Sequence, residues 1–339
     1  MDTSEHTQTS EGTQTYEELA SWDGRWPFRG QEPYPRVIHE EDAYFQAWGI
    51  SNEGMNRTPV WFYASTKHID TGIFSLAPGD YFKPGNHPNP EPYLLLDGTI
   101  HIGNPDTGQL LEASAGDVVI IPAFQMHVGH NFGSETCRML WMIPRQKMTD
   151  EFHENPVYDD HYMNFRSPIV LHKETIHRHE AHDSFAQPNF RVGEAPKSRH
   201  ADLREWPPAS GQSAAADFET DTAHLYHRGQ WLHFVTGGSF GHQFLTSYAY
   251  STDEFQFGRI QIPPNRITNA IQVPGERVYY PRGEGKLIVN IMETNDSIIG
   301  GEGDALFVPA DVAHQFQNPG ATAVEAALCC TTPLGVSQY

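Results

Sequence analysis

The chain is poor in cysteine, poor in basic side chains, and without a long apolar run. Only three cysteines occur, at 137, 329 and 330, and the last two are adjacent and badly placed to bridge each other. No disulfide framework and no zinc-type cysteine spacing can be built from them, so a reducing, cytoplasmic setting is the simplest expectation. The 22 basic residues face 43 acidic ones, a formal net charge of −21. Such a surface repels phosphate backbones and anionic membranes, which argues against nucleic acid and membrane partners. A small-molecule substrate remains the expected partner, anionic ones included, because local charges in a pocket can oppose the global field. No stretch of about 18 apolar residues is present to span a bilayer. The N-terminal residues lack the basic start and apolar run of a secretory signal.

Glycine (29) and proline (25) are plentiful, and hydrophobic residues make up 38% of the chain. That combination favours many short elements joined by turns around a real core. With 339 residues the length suits two domains of roughly 100–200 residues each. Residues 1–20 are polar and rich in Thr, Ser and Glu, and are expected to be a disordered tail. Residues 21–57 form an aromatic-rich arm, expected to pack on a barrel or to close over a pocket or a neighbouring subunit. From 58 to 145, short apolar runs such as YLLL (93–96), DVVII (117–121) and CRMLWMI (137–143) alternate with turn signals. Strands at that spacing predict a β-barrel or sandwich. Residues 146–225 lose the regularity and are read as an irregular interdomain connection. The strand pattern returns over 226–339, as in KLIVNIM (286–292) and DALFVP (304–309).

The two strand-rich regions repeat each other. HPNPEPYLLLDG (87–98) aligns with QVPGERVYYPRG (272–283), with Glu91 and Glu276 lying 185 positions apart. GDVVIIPAFQMHVGHN (116–131) aligns with GDALFVPADVAHQFQN (303–318), with His127 and His314 lying 187 apart. Two blocks in one order at nearly one offset indicate a duplicated β-domain.

These blocks resemble the two motifs of the cupin superfamily. The first motif falls on Gly79, Gly85, His87, Glu91 and Gly98, with Gly85 where the family's first histidine stands. The second falls on Gly116, Pro122, Phe124, His127 and Asn131, with Phe124 in place of the usual glycine. The resemblance implies an all-β fold of two jelly-roll barrels in tandem. It also implies a divalent-metal site on His87, Glu91 and His127 in the first barrel. Side chains two and four apart on a strand share a face, and a neighbouring strand lies about 4.8 Å away, so such ligands can reach one ion. Two imidazoles and one carboxylate suit non-haem Fe(II), and also fit Mn(II), Ni(II) or Zn(II). The competing reading is that the same three groups pack and hydrogen-bond inside an inert barrel. Asn89 is a rival ligand or a turn former.

In the second barrel the aligned positions are Gln272, Glu276 and His314, a weaker site in a barrel read as mainly structural. Lys83 and Tyr93 share strand parity with the ligand positions and are candidates to orient a substrate; Lys83 is alternatively a rim lysine. His177, His179 and His182 are read as part of a solvated charged segment. Two-domain cupins of this length include dioxygenases of the gentisate and hydroquinone type. That likeness implies an Fe(II)-dependent dioxygenase acting on a small, phenolic organic substrate. Two alternatives stay open: a non-oxidative metal-dependent decarboxylase, isomerase or lyase of the oxalate type, and a non-catalytic binding bicupin. A homodimer is expected, since cupins often pair edge to edge.

Overall fold

A computed structural model describes residues 27–28, 32–48, 58–66, 68–85, 90–104, 108–123, 125–144, 223–237, 241–251 and 255–331. Those residues form strands and short turns, with two single-turn 3-10 segments, and fall into four antiparallel sheets. The first barrel joins a seven-stranded sheet to a four-stranded one. The larger sheet runs His224–Tyr226, Val118–Ile121, Glu91–Asp97, Cys137–Pro144, Ile69–Leu76, Thr58–Ser65, Tyr44–Trp48; the smaller runs Tyr81–Gly85, His127–His130, Thr99–Gly103, Leu110–Ser114. The second barrel repeats the plan, its larger sheet built around Arg277–Arg282 and Val324–Cys330 and its smaller around His314–Asn318 and Leu287–Ile291. The expected all-β, two-barrel fold is what the chain adopts. No helix among the described residues is long and apolar enough to cross a membrane.

Strand alternation sorts the side chains into three cores. Tyr93, Leu95, Val119, Ile121, Met139 and Trp141 point into the first barrel. Their neighbours Leu94, Val118, Ile120, Leu140 and Met142 point the other way, toward the second barrel, where they meet Phe257, Val278, Tyr280 and Phe307. A third core of Tyr279, Val289, Ile291, Leu306 and Phe316 fills the second barrel. Because the large sheets are buried on both faces, their sequences read as continuous apolar runs rather than alternating ones. Polar contacts pin the seam: Tyr280 donates to Thr71 Oγ1 at 3.0 Å, and Tyr63 donates to the Gly303 carbonyl at 2.8 Å.

Each barrel lends a strand to the other. Arg36–Ile38, from the N-terminal arm, pairs with Ala305–Val308 of the second barrel. His224–Tyr226, just ahead of the second barrel in sequence, pairs with Val118–Ile121 of the first. The exchange is clasped symmetrically. His39 Nδ1 meets Asp304 at 2.8 Å and His227 Nδ1 meets Asp117 at 2.9 Å, both aspartates following the glycine of the repeated Gly-Asp turn. Phe28 of the arm is buried against Phe307, ring centres 4.9 Å apart, so this part of the arm packs on the second barrel. The three cysteines are free and buried, and burial pushes the Cys137 thiol up to about 12.

The structure corrects the repeat by one residue. Glu91 pairs with Ile121, and the residue that pairs with the equivalent Val308 is Arg277, not Glu276. The cause is a bulge. On the strand Glu91–Asp97, Asp97 pairs with Arg138 and Leu95 with Met139, so Leu96 is an extra residue. Its counterpart runs from Arg277 to Arg282 without a shift. The matching turn glycines, Gly98 and Gly283, therefore hide a one-residue difference in strand length. Since a slip of one residue moves a side chain to the opposite face of a sheet, the identity of the inward residue changes.

Candidate metal centre

Glu91 opens the strand Glu91–Asp97 and His127 opens the strand His127–His130, on the two sheets that face each other across the first barrel. Both are buried, at 1% and 0% exposure. Their side chains converge: His127 Nε2 lies 3.6 Å from Glu91 Oε2. Tyr93, two residues along from Glu91 and hence on the same face, bridges them. Its hydroxyl donates to Glu91 Oε2 and sits 3.2 Å from His127 Nε2. Phe74 and Phe82 wall the group, with Phe74 edge-on to Tyr93 at 5.4 Å and Phe82 edge-on to His127 at 5.9 Å.

The proton positions follow from the partners. The Gln125 carbonyl can only accept, so at 3.0 Å it fixes a proton on His127 Nδ1. In the neutral imidazole, Nε2 then presents its lone pair toward Glu91 and Tyr93. That is the tautomer a metal ligand needs, held by a backbone carbonyl as metal-bound histidines commonly are. Two ligand atoms on one ion with bonds of about 2.0–2.2 Å can stand up to about 4 Å apart, so a separation of 3.6 Å is within reach. The donor set therefore fits a divalent ion. No group of three potential ligands closes among the described residues.

Of the residues expected at this site, Glu91, His127 and Tyr93 are brought together. His87, Asn89 and Phe124 lie outside the described residues, as does the segment carrying His177, His179 and His182. The Lys83 side chain also lies outside them, although its strand is described. The backbone of Gly85, which stands where the family has its first histidine, is paired directly opposite His127.

The weaker site expected in the second barrel is not assembled. Gln272 is exposed and donates to the Asp311 carbonyl at 2.8 Å. Glu276 points out of the barrel, across the seam, where its carboxylate accepts from Thr66 Oγ1. Only His314 keeps its place. It copies His127, with Nδ1 at 2.9 Å from the Val312 carbonyl and Nε2 at 3.0 Å from the Tyr279 hydroxyl. Where the first barrel has Glu91, it has the fully buried Arg277. A guanidinium cannot ligate a cation and repels one, so this inward position is unsuited to a metal.

Sequence patterns alone do not reveal a further buried cluster on the smaller sheet of the first barrel. His130 stacks between Tyr81 and Phe132, with ring centres at 5.4 and 5.2 Å, and adjoins His101, which bonds Glu112 at 2.9 Å. Burial first, and His101 second, lower the His130 imidazole to about 4. His130 lies an odd number of residues from His127, on the face turned away from Glu91.

Comparison with known proteins agrees with this fold. A family model described as the cupin domain matches residues 72–143. No curated protein matches the sequence. Among solved structures, an oxalate decarboxylase formate complex from Lactobacillus farciminis is 12% identical with a TM-score of 0.55, covering 90% of this chain and 88% of its own. A putative glyoxylate induced protein from Pseudomonas aeruginosa is 13% identical with a TM-score of 0.52, covering 94% and 95%. AerE from Microcystis aeruginosa is 10% identical with a TM-score of 0.50, covering 89% and 98%. At such identities the likeness speaks for the fold, which spans nearly the whole length of each partner. The cupin-domain match covers the strands that carry Glu91 and His127, and the whole chain shares the two-barrel fold of those solved structures.

Proposed function

We propose that the first barrel holds a divalent metal on His87, Glu91 and His127, and that the chain is a metal-dependent enzyme acting on a small organic substrate. The observation that carries this reading is the buried convergence of Glu91, His127 and Tyr93, with the His127 proton held on Nδ1. The reaction proposed is Fe(II)-dependent dioxygenation of a phenolic substrate. Two imidazoles and one carboxylate would hold Fe(II), which when bound would supply the chemistry that adds both atoms of dioxygen to the substrate. The chain's own residues position and exclude. Phe74 and Phe82 form apolar walls suited to an aromatic ring and keep water out. Tyr93 donates to Glu91 and orients both ligand side chains.

A second reading is non-oxidative decarboxylation at Mn(II). It is favoured by the structural likeness to oxalate decarboxylase and by a phenolic proton held at the site by Tyr93. One experiment separates the two. The purified chain is analysed for metal, reconstituted with Fe(II) or Mn(II), and offered dihydroxybenzenes or oxalate in an oxygen-electrode cell with carbon dioxide detection. Oxygen uptake matched to ring loss is the expected result. Carbon dioxide release without oxygen uptake establishes the second reading, and failure to retain either ion sinks the enzyme assignment.

Tyr93→Phe should keep stoichiometric metal but lower kcat by roughly 10–100-fold, the usual cost of losing a group that orients metal ligands. KM should change little, because the hydroxyl bonds Glu91 and His127 rather than a substrate. Loss of metal from this variant would instead make Tyr93 a ligand.

A further inference from the structure

The second barrel places a positive charge where the first places a carboxylate. Arg277 has the strand position of Glu91 and the same inward parity as Tyr279, and it is 0% exposed. Its Nη1 donates to the carbonyls of Gly275 at 2.7 Å and Val273 at 3.4 Å. Its Nε and Nη2 have no protein partner among the described residues. Those two nitrogens are not an arbitrary pair. They form one edge of the planar guanidinium, presenting two parallel N–H groups at the spacing of the two oxygens of a carboxylate. A guanidinium does not shed its proton, and a buried charge left without a counter-charge is strongly unfavourable.

Among the described residues no carboxylate is paired with Arg277. The adjacent Glu276 is turned across the seam to Thr66, and the barrel core about Arg277 is made of Val289, Ile291, Leu306 and Phe316. The Tyr279 hydroxyl and His314 Nε2 are the polar groups bonded to each other in that interior. Arg277 acts on His314 through its charge, which adds to burial in keeping the imidazole neutral. The Val312 carbonyl holds the His314 proton on Nδ1 and the Tyr279 hydroxyl donates to Nε2, so the arginine fork is the group left to hold an anion.

We propose that the interior of the second barrel binds a small monocarboxylate anion, held side-on by Nε and Nη2 of Arg277, with Tyr279 and His314 beside it. The site is separate from the metal centre and exists whether or not the first barrel is catalytic. The two barrels thus carry opposite charges, Glu91 and Arg277, at one inward strand position.

Sodium acetate is the probe, titrated against sodium chloride at constant ionic strength, with the full chain followed by thermal melting and by line broadening of carbon-13 acetate. Acetate should raise the melting temperature in a saturable way and chloride should not. Arg277→Lys, which keeps the charge but loses the fork, should bind acetate at least roughly tenfold more weakly, and Arg277→Met should not bind it. If neither Arg277 variant folds, the His127→Ala chain decides. Acetate binding that survives there belongs to the second barrel, whereas binding that vanishes belonged to the first-barrel metal and overturns the inference. Saturable stabilisation by chloride equal to that by acetate would show a point charge rather than a carboxylate fork and would overturn it as well.

Discussion

His127→Ala should leave the purified chain with less than about a tenth of the metal held by the parent after identical Fe(II) or Mn(II) loading. Even groups that only orient metal ligands commonly cost 10–100-fold in affinity when removed, and a ligand costs more. In this barrel the loss is compounded. His127 is completely buried beside Glu91, so truncation removes both the lone pair and the neighbour that stands 3.6 Å from the carboxylate. The ladder opposite offers no replacement, because the backbone facing His127 belongs to Gly85, which has no side chain to step in. Elemental analysis after gel filtration checks the expectation, with circular dichroism to confirm the fold. His242→Ala provides the contrast: that ring bonds the Ile267 carbonyl on the outside of the second barrel, and its loss should not touch the metal content. Stoichiometric metal in the His127→Ala chain would remove the centre from this barrel.

The duplicated architecture is legible in the sequence because turn glycines and Gly-Asp corners mark where strands end. Gly116 and Gly303 both take positive φ, near 90°, a conformation glycine adopts without strain, and they recur 187 residues apart. Tyr93 is legible as an inward residue for a similar reason, being two positions from Glu91 on a strand of regular period. The limit lies in parity. A single bulged residue, Leu96, shifts the ladder in one repeat and not in the other, and nothing in the apolar run YLLL announces which residue is the extra one. Aligning the repeats on their turns therefore selects Glu276 and passes over Arg277, although Arg277 is the residue that faces His314's barrel. The exchanged strands are equally silent. Arg36–Ile38 and His224–Tyr226 are three residues each, too short to carry a pattern, and their partners lie across a barrel boundary that a linear division of the chain cannot express. The histidine tautomer at the metal centre rests on the Gln125 carbonyl, a backbone group that has no signature in residue identity.

Acidification should destabilise this protein well before its carboxylates titrate. His130 and His314 are buried, and in the folded chain their imidazoles are lowered to about 4 and about 3. Desolvation is the main cause at both, reinforced by His101 at the first and by Arg277 at the second. In the unfolded chain both titrate near the ordinary histidine value of about 6.5. Between that value and the folded ones, the unfolded state binds protons that the native state refuses. Stability is therefore complete above about pH 6.5 and is lost as the pH falls toward the folded values. At about pH 5 each group contributes a loss of about 2 kcal/mol, taking about 1.4 kcal/mol per pH unit. The pair together lowers the melting temperature by roughly 6 °C in a chain of this size. One effect runs the other way, since neutralising part of the net charge of −21 relaxes self-repulsion. A variant isolates the histidine contribution from it. His130→Phe keeps an aromatic ring between Tyr81 and Phe132 and removes its titration, leaving those of His314 and of His224, which burial also lowers to about 4, so its melting temperature should fall by roughly 3 °C less than the parent's between pH 7 and pH 5. An unchanged slope in that variant would mean that His130 is protonated in the native state, which a ring 3% exposed and stacked between two aromatics should not permit.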